Sequence, residues 1–218
     1  MACPPANHGQ LGEFVVSLYA LKPAFQLLLQ PHVGRLARAG VTANQVTLAA
    51  AVGSVAVALI VAWLWPARWP FLLIPVWLFI RMALNAVDGM LARGHGQKSR
   101  LGAYLNEISD VASDAALYAP FALLAAFGAF WIGLVIVLSA LTELAGVLGP
   151  TVGASRRYDG PMGKSDRALV FGALGLWAGL GLPFPAWTVA IMVVLVLVLA
   201  LTIVNRVRAG LKEGGPKP

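Results

Sequence analysis

Charge, cysteine and the features of a cleavable leader are scarce in this sequence. Only 11% of its 218 residues are charged, which excludes an ordinary soluble domain. The single cysteine, Cys3, excludes an internal disulfide and says little about the compartment. The first thirty residues lack an apolar run followed by a small-residue cleavage site, so no cleavable signal is expected.

Long apolar runs are abundant instead. Hydrophobic residues make up 59% of the chain and the mean hydropathy is +0.79, which is typical of proteins embedded in a bilayer. A spanning helix needs about 20 mostly apolar residues. Runs of that length predict an all-α integral membrane protein with six transmembrane helices, at approximately 46–65, 70–93, 103–127, 130–149, 168–182 and 187–205.

The basic residues mark one side of the predicted membrane domain. Lys and Arg flank both ends of the domain and two of its loops, whereas the opposite loops contain only Arg68. Because positive flanks stay in the cytoplasm, both termini are expected to be cytoplasmic. This topology and attraction to anionic membrane lipids account for the net charge of +7, so no nucleic-acid partner is expected.

The segment before the first span has helical periodicity. Leu11, Phe14, Val15, Leu18 and Leu21 recur at the spacing of one helix face. They indicate an amphipathic juxtamembrane helix in the membrane interface, and a soluble helix docked on the membrane domain fits equally well. Both alternatives place the helix at the cytoplasmic surface.

The chain divides into three parts. Residues 1–43 are expected to form a cytoplasmic segment, residues 44–208 a six-helix membrane domain and residues 209–218 a flexible tail. At the entry to the first span, Thr42 or Asn44 is expected to act as the helix N-cap.

Polar side chains form a stripe on the second predicted span. Arg81, Asn85, Asp88 and Ala92 follow at steps of four, three and four residues, which places them on one face of a helix. Ionisable groups inside a span are costly unless they are paired, hydrated or bound to ions. Each of these groups is therefore a candidate functional residue.

The third predicted span carries a matching set. Glu107, Asp110 and Asp114 share one face, and Asn106 lies on a ridge of four-residue steps through the two aspartates. The stripes can face each other across the loop 94–101, where their oxygens suit a hard divalent cation such as Mg²⁺.

The two polar stripes also fit roles without a bound divalent cation. One is a structural network of ion pairs, for instance Arg81 with Glu143, and another is a proton or cation path through a transporter. Spacing alone leaves both alternatives open.

The same residues fit a longer motif. It reads Asn85-x2-Asp88-Gly89-x2-Ala92-Arg93-x8-Gly102-x3-Asn106-x3-Asp110. This string resembles the signature of the CDP-alcohol phosphotransferases, D-x2-D-G-x2-A-R-x8-G-x3-D-x3-D, and its spacing matches throughout. The Thr-x-Asn-x-Val-Thr string at 42–47 also resembles the family.

The resemblance implies a divalent-metal-dependent phosphatidyltransferase of phospholipid biosynthesis. An alcohol hydroxyl would attack the phosphorus of a CDP-linked donor, releasing CMP and forming a phosphodiester. Family members of this size usually use CDP-diacylglycerol and often form homodimers. The expected cofactor is therefore Mg²⁺ or Mn²⁺, as one or two ions.

The resemblance also assigns roles by position. Asp110 would be the general base, Gly89 and Gly102 would allow close approach of the nucleotide, and Arg93 would meet donor phosphate. The donor-binding set is Asn85, Asp88, Gly89, Ala92, Arg93 and Gly102, and the metal set is Asn85, Asp88, Asn106, Asp110 and Asp114.

Two positions depart from the family pattern. Asn85 and Asn106 stand where the family has aspartates, which removes two negative charges, although an Asn carbonyl can still ligate Mg²⁺. Glu107 and Asp114 would restore four carboxylates if both faced the site. A register shifted by one turn, with Asp110 and Asp114 as the final pair, lengthens the central gap and is not preferred. The substitutions also fit a single metal ion, an unusual acceptor or an inactive relative.

A basic loop supplies candidates for the acceptor. Arg157, Lys164 and Arg167 could hold an anionic group of the acceptor alcohol, and the positive-inside rule alone explains them equally well. The alternatives to an enzyme are a degenerate relative that binds CDP-lipid and an ion-coupled transporter. The expected location is the bacterial inner membrane, with the site facing the cytoplasm.

Overall fold

All regular structure in the described part of the chain is helical. The computed structural model describes the backbone of residues 18–215 and the side chains of residues 25–215. The helices are α1 (Leu18–Arg38), α2 (Ala43–Trp63), α3 (Leu73–Gly94), α4 (Arg100–Tyr118), α5 (Ala129–Val147), α6 (Lys164–Gly179) and α7 (Thr188–Gly214). Short 3-10 turns lie at Trp69–Leu72, Ala119–Leu123, Ala125–Phe127 and Gly149–Val152.

Helices α2 to α7 occur where the six spans are predicted. Four helical segments are long and apolar enough to cross a membrane: α2, Trp69–Gly94, α5 and α7. Helix α4 differs because it carries Arg100, Glu107, Asp110 and Asp114, and α6 differs because it has only 16 residues. The prediction of an all-helical fold with long apolar helices is confirmed for the described residues, while six crossings and cytoplasmic termini stay predictions.

The apolar surface of the four long helices points outward. Only 28% to 33% of the residues in their most apolar windows are buried inside the protein. Leu59, Phe79 and Leu197 are each more than half exposed. Soluble monomers rarely expose large continuous apolar surfaces, so lipid is the solvent that this surface suits.

The first helix lies against α3. Phe25 and Phe79 meet edge to face with ring centroids 6.3 Å apart, and Val33 is buried in a small apolar cluster with Val87 and Leu91. These contacts show a helix docked on the helical bundle. Leu11, Phe14 and Val15 of the predicted amphipathic segment lie outside the described residues.

Aromatic side chains fill the core at one end of the bundle. The Tyr118 ring stacks on Phe171 with centroids 3.7 Å apart, and Phe121 contacts Phe71 and Phe127 edge to face at 5.3 and 5.8 Å. These residues lie where α3 begins and α4 ends. The polar stripes therefore occupy the opposite end, next to the α3–α4 loop.

The connection between α5 and α6 is fastened along α7. Thr202 Oγ1 accepts a hydrogen bond from the Met162 amide at 3.1 Å, and Arg206 Nε donates to the Asp159 carbonyl at 3.3 Å. Gly160 has a φ of +111°, and a Cβ added there would lie 2.7 Å from the Thr202 side chain. This close approach fixes the loop where it leads into α6.

Helix α7 extends into the predicted tail. The helix continues to Gly214, six residues past the predicted boundary at 208. Glu213 accepts hydrogen bonds from the Ser155 amide at 2.9 Å and the Ser155 hydroxyl at 3.0 Å. These contacts dock the last turn on the loop, and the composition of the tail could not predict them.

Candidate functional site

The two polar stripes meet at Asp110. Asn85 Nδ2 donates to Asp110 Oδ1 at 3.2 Å, and Arg81 Nη2 lies 3.3 Å from the same oxygen. Lys164, the first residue of α6, places its Nζ 2.5 Å from that oxygen as well. Side chains from α3 and α6 thus converge on this α4 carboxylate, whose side chain is 19% exposed, and all three contacts end on Oδ1.

Asp88 is the more deeply buried of the two motif carboxylates. It is 5% exposed, and its Oδ2 accepts a hydrogen bond from Thr47 Oγ1 at 2.8 Å. Asp88 lies about one turn from Asn85 on the same face of α3, so it borders the same site. Thr47 was not among the predicted site residues, although it ends the Thr-x-Asn-x-Val-Thr string and could have been found there.

The start of α2 corrects the predicted role of Asn44. Thr42 is the N-cap, and it forms a capping box with Gln45 in which each side chain bonds the other's backbone amide at 3.2 and 2.9 Å. Asn44 lies in the first turn instead, with Oδ1 2.7 Å from the position of a Cβ added to Gly102. Its carbonyl oxygen therefore faces the start of α4.

Gln97 holds the α3–α4 loop over the start of α2. Its Oε1 accepts from the Ala43 amide at 2.7 Å, and its Nε2 donates to the Val41 carbonyl at 3.3 Å. At the end of this loop, Ser99 caps α4 by accepting from the Gly102 amide at 2.9 Å. The sequence motif leaves the position of Gln97 unspecified, so this contact could not be predicted from it.

The motif glycines lie where side chains would crowd the site. A Cβ added to Gly89 would lie 2.9 Å from Arg93 Nη2, so the exposed Arg93 guanidinium extends back over Gly89. Ala92 is half-buried in the apolar cluster beneath α1. Gly102 is confined between Asn44 and Ser99.

Asp114 lies between two arginines. Arg81 Nη1 is 2.5 Å from its Oδ1 and Arg167 Nη2 is 3.0 Å from its Oδ2, and all three side chains are at most 6% exposed. Both carboxylate oxygens are therefore committed to cations of the protein. Asp110 and Asn106 lie one and two turns earlier on α4, nearer to the α3–α4 loop.

The proposed pair of Arg81 with Glu143 is wrong. Arg81 pairs with Asp110 and Asp114, whereas Glu143 lies 2.9 Å from Arg167, 3.6 Å from Arg206 and 3.8 Å from Arg156. Periodicity can place Arg81 on one face of its helix, but it does not fix which helices are neighbours.

The basic residues predicted for the acceptor are dispersed. Lys164 lies at Asp110, and Arg167 is 2% exposed inside the bundle. Arg157 instead pairs with Asp159 at 2.8 Å and with Glu213 at the end of α7. The hydrogen bond from Arg157 lowers the pKa of the Asp159 carboxyl, which marks a surface ion pair.

The donor set at this end of the bundle is of the kind that a hard divalent cation prefers. Within residues 25–215, no group of three or more His, Cys, Asp and Glu side chains converges as a metal site. Asp88 and Asp110 provide two carboxylates, and the half-buried Asn85 and Asn106 provide carboxamide oxygens. Oxygen ligands of this kind fit Mg²⁺ or Mn²⁺, which complete their shells with water and substrate phosphate.

Comparison with known proteins covers the motif at this site. The family model for CDP-alcohol phosphatidyltransferase matches residues 40–163, which contain the complete motif. The inner membrane protein YnbA of Escherichia coli strain K12 is 46% identical over 198 residues, covering 90% of this chain and 97% of YnbA. The phosphatidylinositol phosphate synthase of Streptomyces avermitilis is 32% identical over 128 residues, covering 56% of this chain and 50% of that protein.

Solved structures show the same fold. The phosphatidylinositol phosphate synthase PgsA1 of Mycobacterium tuberculosis, in complex with manganese and citrate, has a TM-score of 0.67 at 21% identity and covers 86% of this chain and 92% of its own. The same enzyme with CDP-DAG bound has a TM-score of 0.65 at 20% identity, covering 86% and 96%. Since the family model spans more than half of the chain, including the motif that meets at Asp110, this chain belongs to the CDP-alcohol phosphatidyltransferase family.

Proposed function

We propose that the protein transfers the phosphatidyl group of CDP-diacylglycerol to an alcohol hydroxyl and releases CMP. The convergence of Asn85, Arg81 and Lys164 on Asp110 carries this proposal, because it gathers the motif and a basic side chain around one carboxylate. The CDP-DAG bound to the M. tuberculosis enzyme supports the choice of donor.

In the proposed reaction, Asp110 is the general base. Its Oδ1 is held by Arg81, Asn85 and Lys164, so Oδ2 is the oxygen that takes the proton of the acceptor hydroxyl. The hydroxyl oxygen attacks the phosphorus that bears the diacylglycerol. The bond from this phosphorus to the oxygen of CMP breaks, and CMP leaves with the bonding electrons.

The donor lies along the start of α4 and the end of α3 in this proposal. Arg93 bonds a donor phosphate, and the absence of side chains at Gly89 and Gly102 lets the nucleotide approach the helix backbones. Asn85 and Ala92 complete the α3 face of the donor site. Asn44 Oδ1 beside Gly102 adds a hydrogen-bond acceptor at this position.

We assign the metal site to Asn85, Asp88, Asn106 and Asp110. A divalent ion bound there would neutralise charge on the donor pyrophosphate. Two carboxylates and two carboxamides suit one ion better than two, because a pair of divalent ions needs more negative ligands. Asp114, with both oxygens bonded to arginines, is assigned to positioning Arg81 rather than to the ion.

The topology proposed for the reaction has six crossings and both termini in the cytoplasm. It rests on the basic flanks of α2 to α7, and it directs the Asp110 end of the bundle toward the cytoplasm. The proposed division is an interfacial segment at residues 1–43, a membrane domain at residues 44–208 and a tail at residues 209–218, of which the part up to Gly214 continues α7. The proposed location is the bacterial inner membrane, which the name of the E. coli relative supports. We also expect a homodimer.

Purified protein in vesicles that contain CDP-diacylglycerol tests the proposal. CMP release should depend on Mg²⁺ or Mn²⁺, require an alcohol acceptor and stop with EDTA, and mass analysis should find the matching phosphatidyl alcohol. Tight binding of CDP-diacylglycerol without CMP release for any acceptor would contradict the proposal and indicate a non-catalytic CDP-lipid-binding protein. In that case, Asn85 and Asn106 would mark positions at which the protein has lost metal ligands.

A further inference from the structure

The basic side chains predicted to hold the acceptor, and the basic side chains next to them, are all paired with carboxylates of the same chain. Five cations lie in one connected network of ion pairs: Arg81, Arg156, Lys164, Arg167 and Arg206. Four carboxylates of the same network face them: Glu107, Asp110, Asp114 and Glu143. Each of the five cations therefore has at least one carboxylate partner, and the ion pairs leave the network with one more cation than carboxylates.

Glu143 is the central anion of this network. Its carboxylate lies 2.9 Å from Arg167, 3.6 Å from Arg206 and 3.8 Å from Arg156, which come from α6, α7 and the loop between α5 and α6. Arg167 and Arg206 are each 2% exposed, and the Glu143 side chain is 13% exposed. The Glu143 carboxylate therefore occupies the position at which these three guanidinium groups could otherwise bind a phosphate.

The outer basic residues are engaged as well. Arg156 forms a two-pronged pair with Glu107, in which Nη2 donates to Oε2 at 2.9 Å. Arg157 is directed away, to Asp159 and Glu213. Lys164 is the cation nearest to the general base, and it lies against Asp110.

The buried nitrogens that lack a partner among the described residues suit a single oxygen. Arg156 Nε and Arg167 Nε are buried and make no hydrogen bond within the described part of the chain. A lone N–H can bond one hydroxyl oxygen, whereas a phosphate monoester presents three charged oxygens that prefer paired guanidinium nitrogens. The nitrogens that would form such pairs are the ones that Glu107, Asp114 and Glu143 occupy.

From this arrangement we propose that the acceptor alcohol carries no phosphate and no net negative charge. This inference rests on the proposed phosphatidyl transfer. A phosphorylated acceptor would either enter a site whose guanidinium groups already have carboxylate partners or displace Glu143, leaving a carboxylate buried without its partners, which is costly. A neutral polyol could bind without displacing Glu143 or competing for the paired guanidinium groups, and its hydroxyl would reach Asp110 beside Lys164.

Matched pairs of acceptors test this inference. CMP release from CDP-diacylglycerol is measured with glycerol against glycerol 3-phosphate and with inositol against inositol phosphate. The unphosphorylated member of each pair should have the higher kcat/KM by about tenfold or more, the factor expected for one charge-assisted hydrogen bond. A higher kcat/KM for the phosphorylated members overturns the inference and leaves the proposed transferase intact, whereas no CMP release with any acceptor overturns both.

The Glu143→Gln variant gives a second readout. Removing this negative charge should shift the ratio of kcat/KM toward the phosphorylated acceptors by about tenfold, and glycerol 3-phosphate should then raise the unfolding temperature. Glu213→Gln, at the end of α7, is the matched control and should keep the wild-type ratio. If Glu143→Gln fails to fold, the acceptor pairs with the wild-type protein decide alone; a folded Glu143→Gln with the wild-type ratio overturns the role of Glu143.

Discussion

Arg81 on α3 and Asp114 on α4 form a buried ion pair beside the proposed general base. The Nη1 to Oδ1 distance is 2.5 Å, and the side chains are 3% and 6% exposed. The other terminal nitrogen of Arg81 donates to the backbone carbonyl of Asp110 at 3.0 Å. Asp114 thus orients Arg81, which in turn holds Asp110. Asp114 does not itself contact the Asp110 carboxylate.

Asp114→Asn should destabilise the fold. The change leaves Arg81 and Arg167 short of a buried counter-charge, which typically costs about 3 kcal/mol or more. Thermal unfolding in detergent should show a clear drop in the transition temperature. Asp159→Asn, at a pair whose acidic side chain is 36% exposed, is the control and should cost under about 1 kcal/mol. Equal losses in the two variants would contradict the importance of the buried pair.

The Mg²⁺ dependence of CMP release by Asp114→Asn shows whether Asp114 positions Arg81 or binds the metal ion. Because both oxygens of Asp114 bond arginines, the Mg²⁺ concentration that gives half-maximal CMP release should stay near that of the wild type while kcat falls. A shift of this midpoint to higher Mg²⁺ would place Asp114 among the metal ligands after all.

Thr47→Val should weaken metal binding through Asp88. The hydroxyl that orients the Asp88 carboxylate is lost while the volume of the side chain is kept. Loss of such a supporting hydrogen bond typically reduces metal affinity or activity by about 10- to 100-fold. Thr188→Val, whose hydroxyl bonds the Pro185 carbonyl near the far end of the bundle, is the control. An unchanged Mg²⁺ midpoint in Thr47→Val would contradict Asp88 as a ligand.

Gly102→Ala should impair donor binding. The added Cβ would lie 2.7 Å from Asn44 Oδ1 and 3.0 Å from Ser99 Oγ, so both side chains must shift at the proposed nucleotide site. The KM for CDP-diacylglycerol should rise by about tenfold, the effect of losing one good polar contact. Gly133→Ala on α5 meets no atom within 4 Å and serves as the control. A wild-type KM in Gly102→Ala would show that Gly102 is not part of the donor site.

Asn85→Asp should make stability depend on the metal. It replaces a donor to Asp110 with a second carboxylate about 3 Å away, where like charges repel. With EDTA the unfolding temperature should fall below that of the wild type, and Mg²⁺ should restore it. Asn205→Asp, half-buried on α7 outside the motif, should show no such recovery. The absence of a Mg²⁺ effect in Asn85→Asp would contradict an ion at this position.

Helical periodicity and motif spacing anticipated the contact between α3 and α4. Residues that recur every three or four positions must share a face, and a short loop brings two such faces together, so Asn85 and Asp110 could be expected to meet. Apolar length and composition likewise indicated the positions of α2 to α7. Helix α4 contains four charged residues, which explains why it is less apolar than an ordinary membrane-spanning helix.

The partners of the individual side chains required the three-dimensional structure. Thr47 reaches Asp88 across 41 positions and Arg167 reaches Asp114 across 53, and no periodicity within one helix contains such pairings. The choice between Arg81 and Arg167 as partner of Glu143 depends on how α3, α5 and α6 pack. The motif could therefore identify the carboxylates, but it could not identify the cations that neutralise them.

CMP release by Asp110→Asn is the most direct test of the central claim. The variant keeps an oxygen for Arg81 and Lys164 but loses the basicity needed to take the hydroxyl proton. In vesicles with CDP-diacylglycerol, Mg²⁺ and an acceptor that supports wild-type turnover, a folded Asp110→Asn protein should release CMP at least about 100-fold more slowly, as expected for loss of a general base. Release at the wild-type rate would contradict the assignment of Asp110 as the base and, with it, this account of the site.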